Sequence, residues 1–403
     1  MNPQPTLSSG AVPGRTGVMP SLFALGFRPF FLLAGALATL WVPLWLLMLS
    51  GVIPQPPHLG GLGWHRHEML FGYTLAVVAG FLLTAAGNWT GRPMPSGRSL
   101  LLLVSLWLLA RVGLLAAPGS WAVAVSILDT LFPLAVAAAL VPALWSTRGY
   151  RNLGFVPLLA VIAGANAAVH LEALGVTAGG AAEATRFALN LIVLIIVVMG
   201  GRVIPFFTGN AIPEAGVRRI VAVDRAAVGL VALMVLGDLL PLDAKVQGTI
   251  ALAAATANGW RMAGWQSLAT RRHPLLWVLH LAYLWIVAGL ALKGIAGWTA
   301  SVPATLAIHA LTVGGIGGLT LGMMSRVALG HTGRPIVAPR LIVAAYVFIN
   351  CAALIRVVLP LLAPAATMLL LEVAGALWTA AFALFTWTYF PILTRPRSNG
   401  RPA

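Results

Sequence analysis

Four histidines and one carboxylate are the residues of this chain best suited to holding a metal. His65, His67 and Glu68 stand together in 64-WHRHEM-69, while His170 and His309 each lie in apolar surroundings. Neutral imidazole ligates haem iron, copper and zinc, and a bis-imidazole haem takes one nitrogen from each face of the porphyrin. On a helix, positions 65 and 67 point about 200° apart, so only one of them can serve a given axial position. The other is left for a second metal, a propionate or a neighbouring helix. His280 stands apart, with His273 and His331 as companions for a second, cytoplasm-side site, and His58, in a Pro-rich loop, is expected to face solvent.

A second set consists of arginines. Arg28 lies in 26-GFRPF-30, Arg202 in 200-GGRVIPFFTGN-210 and Arg326 in the glycine-rich run 314–335. Arginine has no lone pair to offer a metal, but its planar donor fork matches a carboxylate, whether a haem propionate or an anionic solute. Contact with lipid phosphate, or snorkelling, is the competing use. Two opposite-charge pairs, Arg111 with Asp129 and Arg356 with Glu372, fall in or beside apolar runs. There the expected role is an ion pair pinning a helical hairpin, with a proton path as the alternative.

The elements that must position these residues are set by composition. Of 403 residues, 60% are hydrophobic and 8% charged, and the mean hydropathy is +0.93. Soluble domains run near a quarter charged, so nine acidic residues could not clothe a core of this size in water. The net charge of +16 is spread singly or in pairs between apolar runs, which excludes a nucleic-acid binder. Cys351 is the single cysteine, which excludes disulfides and Cys-rich metal sites. No P-loop, Rossmann fingerprint or GxSxG elbow is present.

Twelve apolar stretches are long enough to cross a bilayer as helix: 27–49, 69–87, 100–116, 122–141, 153–174, 187–207, 222–240, 246–262, 275–292, 304–324, 341–358 and 365–390. This predicts an all-α polytopic membrane bundle of about twelve transmembrane helices. The transmembrane domain spans 21–395, between flexible tails at 1–20 and 396–403. With the amino terminus inside, nineteen basic residues fall at inner ends and six at outer ends, so both termini are expected in the cytoplasm. That orientation puts His65, His67, His170 and His309 at one outer depth, and Arg28, Arg202 and Arg326 near the inner interface. Gly314, Gly318 and Gly322 make a smooth face on the tenth stretch for a neighbouring helix or a flat cofactor; such faces could equally support a homodimer.

Placed on these spans, 64-WHRHEMLFGY-73, 201-GRVIPFFTGN-210 and 326-RVALGHTGRP-335 resemble the NnrS family, with 26-GFRPFF-31, 258-NGWR-261 and His280 extending the likeness over nearly the whole chain. The resemblance implies a bacterial inner-membrane protein of the nitrosative-stress and denitrification response. It implies haem b, with copper as a second metal. His65, His67 and His309, with His170 or His280, would be the metal-facing residues, and nitric oxide the ligand or substrate. If iron passes electrons, a membrane or periplasmic electron donor is needed; membrane lipids are the other expected partner. The chain is also similar to the catalytic subunit of haem-copper oxidases in having histidines on spans two and ten, but spans six and seven here have none. A secondary transporter or exporter of a small solute, working through the intramembrane Arg, Asp and Glu residues, is the non-redox alternative.

Overall fold

The computed structural model describes residues 21–147 and 150–398, and it is helical throughout, with no strand among the described residues. The tail at 1–20 and residues 399–403 lie outside the described residues. Among the described residues, twelve long helices follow one another where apolar runs predict them. They are α1 Phe27–Leu49, α2 Gly60–Thr90, α3 Gly97–Ala116, α4 Ala122–Ser146, α5 Phe155–Ala173, α6 Ala181–Ala211, α7 Val221–Gly237, α8 Ala244–Ala263, α9 Pro274–Trp298, α10 Ala304–His331, α11 Arg340–Val357 and α12 Thr367–Thr394. Ten are long and apolar enough to cross a membrane by themselves. The exceptions are α7, at 17 residues, and α8, which carries Lys245, Gln247, Asn258 and Arg261.

Neighbours in sequence pack as antiparallel hairpins, and α12 returns onto α1 to close the bundle. One contiguous buried cluster draws side chains from every long helix. The outer surface is the inverse of a soluble protein's: Leu102, Leu109 and Trp387 are all exposed within their helices. Exposed tryptophans mark both ends of the bundle. Trp89, Trp145 and Trp260 stand at the ends of α2, α4 and α8, and Trp121 and Trp298 at the opposite end, as interfacial rings do. The chain is a multi-pass membrane protein.

Glycine decides how closely α10 approaches α9. A Cβ on Gly318 would sit 2.8 Å from the Ala282 Cβ, one on Gly322 2.8 Å from both Val278 and Leu279, and one on Gly314 inside the Trp285 indole. All four of these residues belong to α9, so the stripe serves helix packing and not a flat cofactor.

Both α2 and α10 depart from α-geometry over one turn or two. Glu68–Thr74 and Ala310–Gly317 are π-helical, and each begins directly after a histidine, His67 in one case and His309 in the other. The Thr74 hydroxyl donates to the Met69 carbonyl at 2.8 Å, which fits the wider turn. Gly72 leaves room for the Arg111 guanidinium, whose Nη1 would lie 2.8 Å from a Cβ there. Wide turns of this kind concentrate at functional sites.

Candidate metal centre

Helix α2 presents its histidines to two different compartments. His65 faces a cavity of about 410 Å³ enclosed by α1, α2, α6, α10, α11 and α12, and His309 lines the same cavity from α10. His67 points the other way, into a buried polar cluster shared with α3, α4 and α5. The four histidines expected to meet at one outer depth are therefore divided between two compartments. His65 and His309 share one space, and His67 and His170 another.

In the cavity, the His309 Nδ1 lies 2.6 Å from the Thr305 carbonyl oxygen. A carbonyl can only accept, so Nδ1 carries the proton and Nε2 keeps its lone pair. Metal-bound histidines are held in this way, the second nitrogen fixing both tautomer and ring orientation. His65 is stacked on Trp45 with ring centroids 3.9 Å apart, and its buried Nδ1 has no hydrogen-bond partner. An orphaned imidazole nitrogen in an apolar wall costs free energy unless something ligates or bonds it. Arg66 and Arg356 line the same cavity. The remainder is chiefly Trp, Leu, Ile, Val, Met and Thr, with Tyr73, a wall that is mostly apolar with a few convergent polar groups, and the volume is within the roughly 300 to 1,000 Å³ usual for cofactor sites.

Arg356 reaches this cavity in place of its expected partner. Among the described residues no ion pair joins it to Glu372, which is exposed. The other expected pair does form, and in a larger assembly. Arg111 ion-pairs with Asp129 and also with Glu68, the latter at 2.5 Å, and all three are at most 1% exposed. Glu68 accepts from Trp41 Nε1 at 2.8 Å, and Asp129 accepts from Asn166 Nδ2 at 2.7 Å and from His170 Nε2 at 3.0 Å. His67 Nε2 lies 2.7 Å from the Asn166 carbonyl oxygen and 3.0 Å from Asp129. One ligand atom each from His67, Asp129 and His170 lies within 4.8 Å of the others, an arrangement able to take a metal ion. Two carboxylates against one guanidinium leave this cluster formally one positive charge short of neutrality.

His58 belongs here too, contrary to its expected solvent-facing place. Its Nε2 is 3.0 Å from His170 Nδ1, and the two rings stack at 5.3 Å. It lies in the loop between α1 and α2, where burial, then the neighbouring His170 and His67, push its pKa down to about 4.

The remaining candidates sit elsewhere. His280 uses both nitrogens, on the Thr208 and Ser267 hydroxyls at 2.9 Å each, and forms no metal-holding group with His273 or His331. Arg28 is buried and donates through Nη1 to the carbonyls of Leu393 and Arg395, tying the end of α12 to the start of α1. Arg202 donates to Asn152 Oδ1 at 3.0 Å, and the Arg326 guanidinium lies 4.0 Å from the Phe207 ring centroid. None of these three arginines lines the cavity of His65 and His309.

The second and tenth helices, each with a π-turn and each giving one histidine, His65 or His309, to the same cavity, also carry two of the motifs behind the family likeness. A profile of the NnrS protein family matches residues 21–397. The chain belongs to the NnrS family. Membership supports a membrane protein associated with nitric oxide. No curated protein matches the chain. The NnrS motifs 64-WHRHEMLFGY-73 and 326-RVALGHTGRP-335 thus lie on the two helices that bear the cavity histidines, whereas Trp41, Asn166 and His58 of the polar cluster belong to no motif the sequence singled out.

Proposed function

We propose that the cavity of His65 and His309 holds haem b, and that the protein binds or processes nitric oxide there as part of nitrosative-stress or denitrification metabolism. The observation carrying this reading is His309, whose Nδ1 is committed to a backbone carbonyl while its Nε2 lone pair is left for a metal in a cavity shared with a partnerless His65 nitrogen. The residues fit the group. His309 and His65 would supply imidazole nitrogen, and Arg66 and Arg356 donor forks for the propionates. When bound, haem supplies an iron that passes electrons or takes a diatomic ligand. Trp45 holds the His65 ring in place by stacking, and the mostly apolar wall surrounds the two imidazoles. Copper, under the same reading, belongs to the cluster of His67, Asp129 and His170, where a cation balances the charge.

Pyridine haemochrome and metal analysis of purified protein test this. Single variants H309A and H65A should lose the low-spin Soret band, and H67A and H170A should keep haem while losing copper. Full haem content with an unaltered spectrum in H309A would overturn the assignment. A wild-type protein without haem after haem-replete expression would favour transport of a small solute through the same cavity.

A further inference from the structure

A second cavity of about 100 Å³ lies further along the same helices, bounded by α1, α2, α6 and α10. Val77, Phe81, Ile195, Met199, Leu319 and Met323 carry most of its wall. Its one polar side chain, Thr320, is fully used: Oγ1 bonds the Ile316 carbonyl at 2.7 Å and accepts from the Tyr73 hydroxyl at 2.5 Å. No group is left to hold a water, and apolar cavities of this kind stay dry and take up small apolar molecules.

The two cavities meet at that hydrogen bond. Tyr73 lines the outer cavity and Thr320 the inner one, while Tyr73 and Val77 on α2, and Ile316 and Thr320 on α10, are four residues apart. At about 1.5 Å rise per residue this is one turn of helix. The partition is thus one hydrogen bond between α2 and α10, with the Tyr73 ring held edge-on to Trp378 and Phe382. Val78, Phe81, Ile196, Val203 and Met323 around the inner cavity are half-buried, so its wall is open on the side where a bilayer would lie. A charged or hydrogen-bonding solute would have to shed its water to enter, with no polar group inside to replace it.

We propose that the inner cavity is the port through which an uncharged diatomic gas, dissolved in the hydrocarbon of the membrane, reaches the cavity of His65 and His309, with the Tyr73 to Thr320 hydrogen bond as the partition it crosses. The inference rests on the proposed haem reading for its destination, but the dry port itself does not. The gas needs no aqueous opening, and the charged cluster of Arg111, Glu68 and Asp129 on the other face of α2 stays out of its way.

Xenon is the probe for the port, and carbon monoxide for its destination. Crystals of the full-length protein under xenon pressure should show xenon in both cavities. V203F, or V78F from the opposing wall should the first variant not fold, should remove xenon from the inner cavity alone. Carbon monoxide rebinding after photolysis of the reduced haem protein should slow several-fold in the filled variant, with haem content and Soret position unchanged there, and quicken in Y73F. Xenon absent from the inner cavity, a lipid chain seated there, or rebinding rates unmoved by V203F and V78F would each overturn the port. Loss of the Soret band from wild type would sink the haem reading alone and leave xenon to decide the port.

Discussion

Replacing Arg111 by Met removes one cation from two buried carboxylates at once. Arg111 and Asp129 are each 1% exposed and Glu68 0%, so water cannot take over from the lost guanidinium. Stripping one partner from a buried pair costs about 3 to 5 kcal/mol. Here each carboxylate retains neutral donors, Trp41 for Glu68, and Asn166 and His170 for Asp129. Those bonds hold the expected loss near the lower end, about 3 kcal/mol, and not twice that for two orphaned charges. Because the cation is shared, D129N added to R111M should recover only part of the loss. The triple variant with E68Q, which leaves no net charge among the three, should come closest to wild type. Unfolding in mixed micelles, titrated with SDS and followed by tryptophan fluorescence, gives the four stabilities. A loss in R111M below about 1 kcal/mol, the value of an exposed pair, would refute the shared-cation argument. So would a double variant equal to the triple.

His58 has a folded pKa pushed down to about 4 from an ordinary 6.5, so its contribution is complete above pH 6.5 and is lost as pH falls toward 4. Thermal unfolding of metal-free protein should therefore weaken over that window, and H58Q should flatten the decline; parallel curves would count against it. H280A removes two neutral hydrogen bonds and should cost about 1 to 3 kcal/mol while leaving metal and haem content unchanged, as judged by the same metal analysis. G314A forces a Cβ into the Trp285 ring and should destabilise the α9 to α10 contact enough to lower detergent-solubilised yield, whereas G330A, with open space around it, should not. Cysteine labelling in a C351A background should find a probe at position 216, between α6 and α7, reactive from the cytoplasmic side only.

Apolar run length was enough to place the long helices, because a bilayer sets one length scale for its spans, although only ten of the twelve runs gave helices long and apolar enough to cross one. It was even enough to separate His65 from His67, since 100° per residue drives the two rings to opposite faces of α2. What sequence could not supply was azimuth. Depth along the membrane normal follows from counting residues, but His170 and His309 at similar depth lie on different sides of α2, and only the packing of α4 and α5 against one face and α10 against the other separates them. The same gap explains Arg356 and Glu372: both lie near one turn, yet one lines the cavity and the other is exposed. His58 was misread because a Pro-rich loop gives no sign of folding back onto a buried histidine. The π-turns were hidden as well, since glycine next to bulky residues is compatible with either helix type.

Each π-turn carries one residue more than an α-helical path of the same length would use. The residues before it are thereby rotated by about 100° relative to those after it. Upstream of the turn in α2 lie His65 and His67, and downstream lie Val77 to Thr84, which pack the core; in α10 the break likewise stands between His309 and Gly318 and Gly322, which meet α9. The aim of the histidines is therefore set independently of the interlock of the helices. Deleting one residue within 68–74 or 310–317 could be absorbed by reversion to an α-turn, leaving the bundle assembled but swinging its histidines out of register. A deletion of the same size elsewhere in these helices would have to dislocate the packing itself.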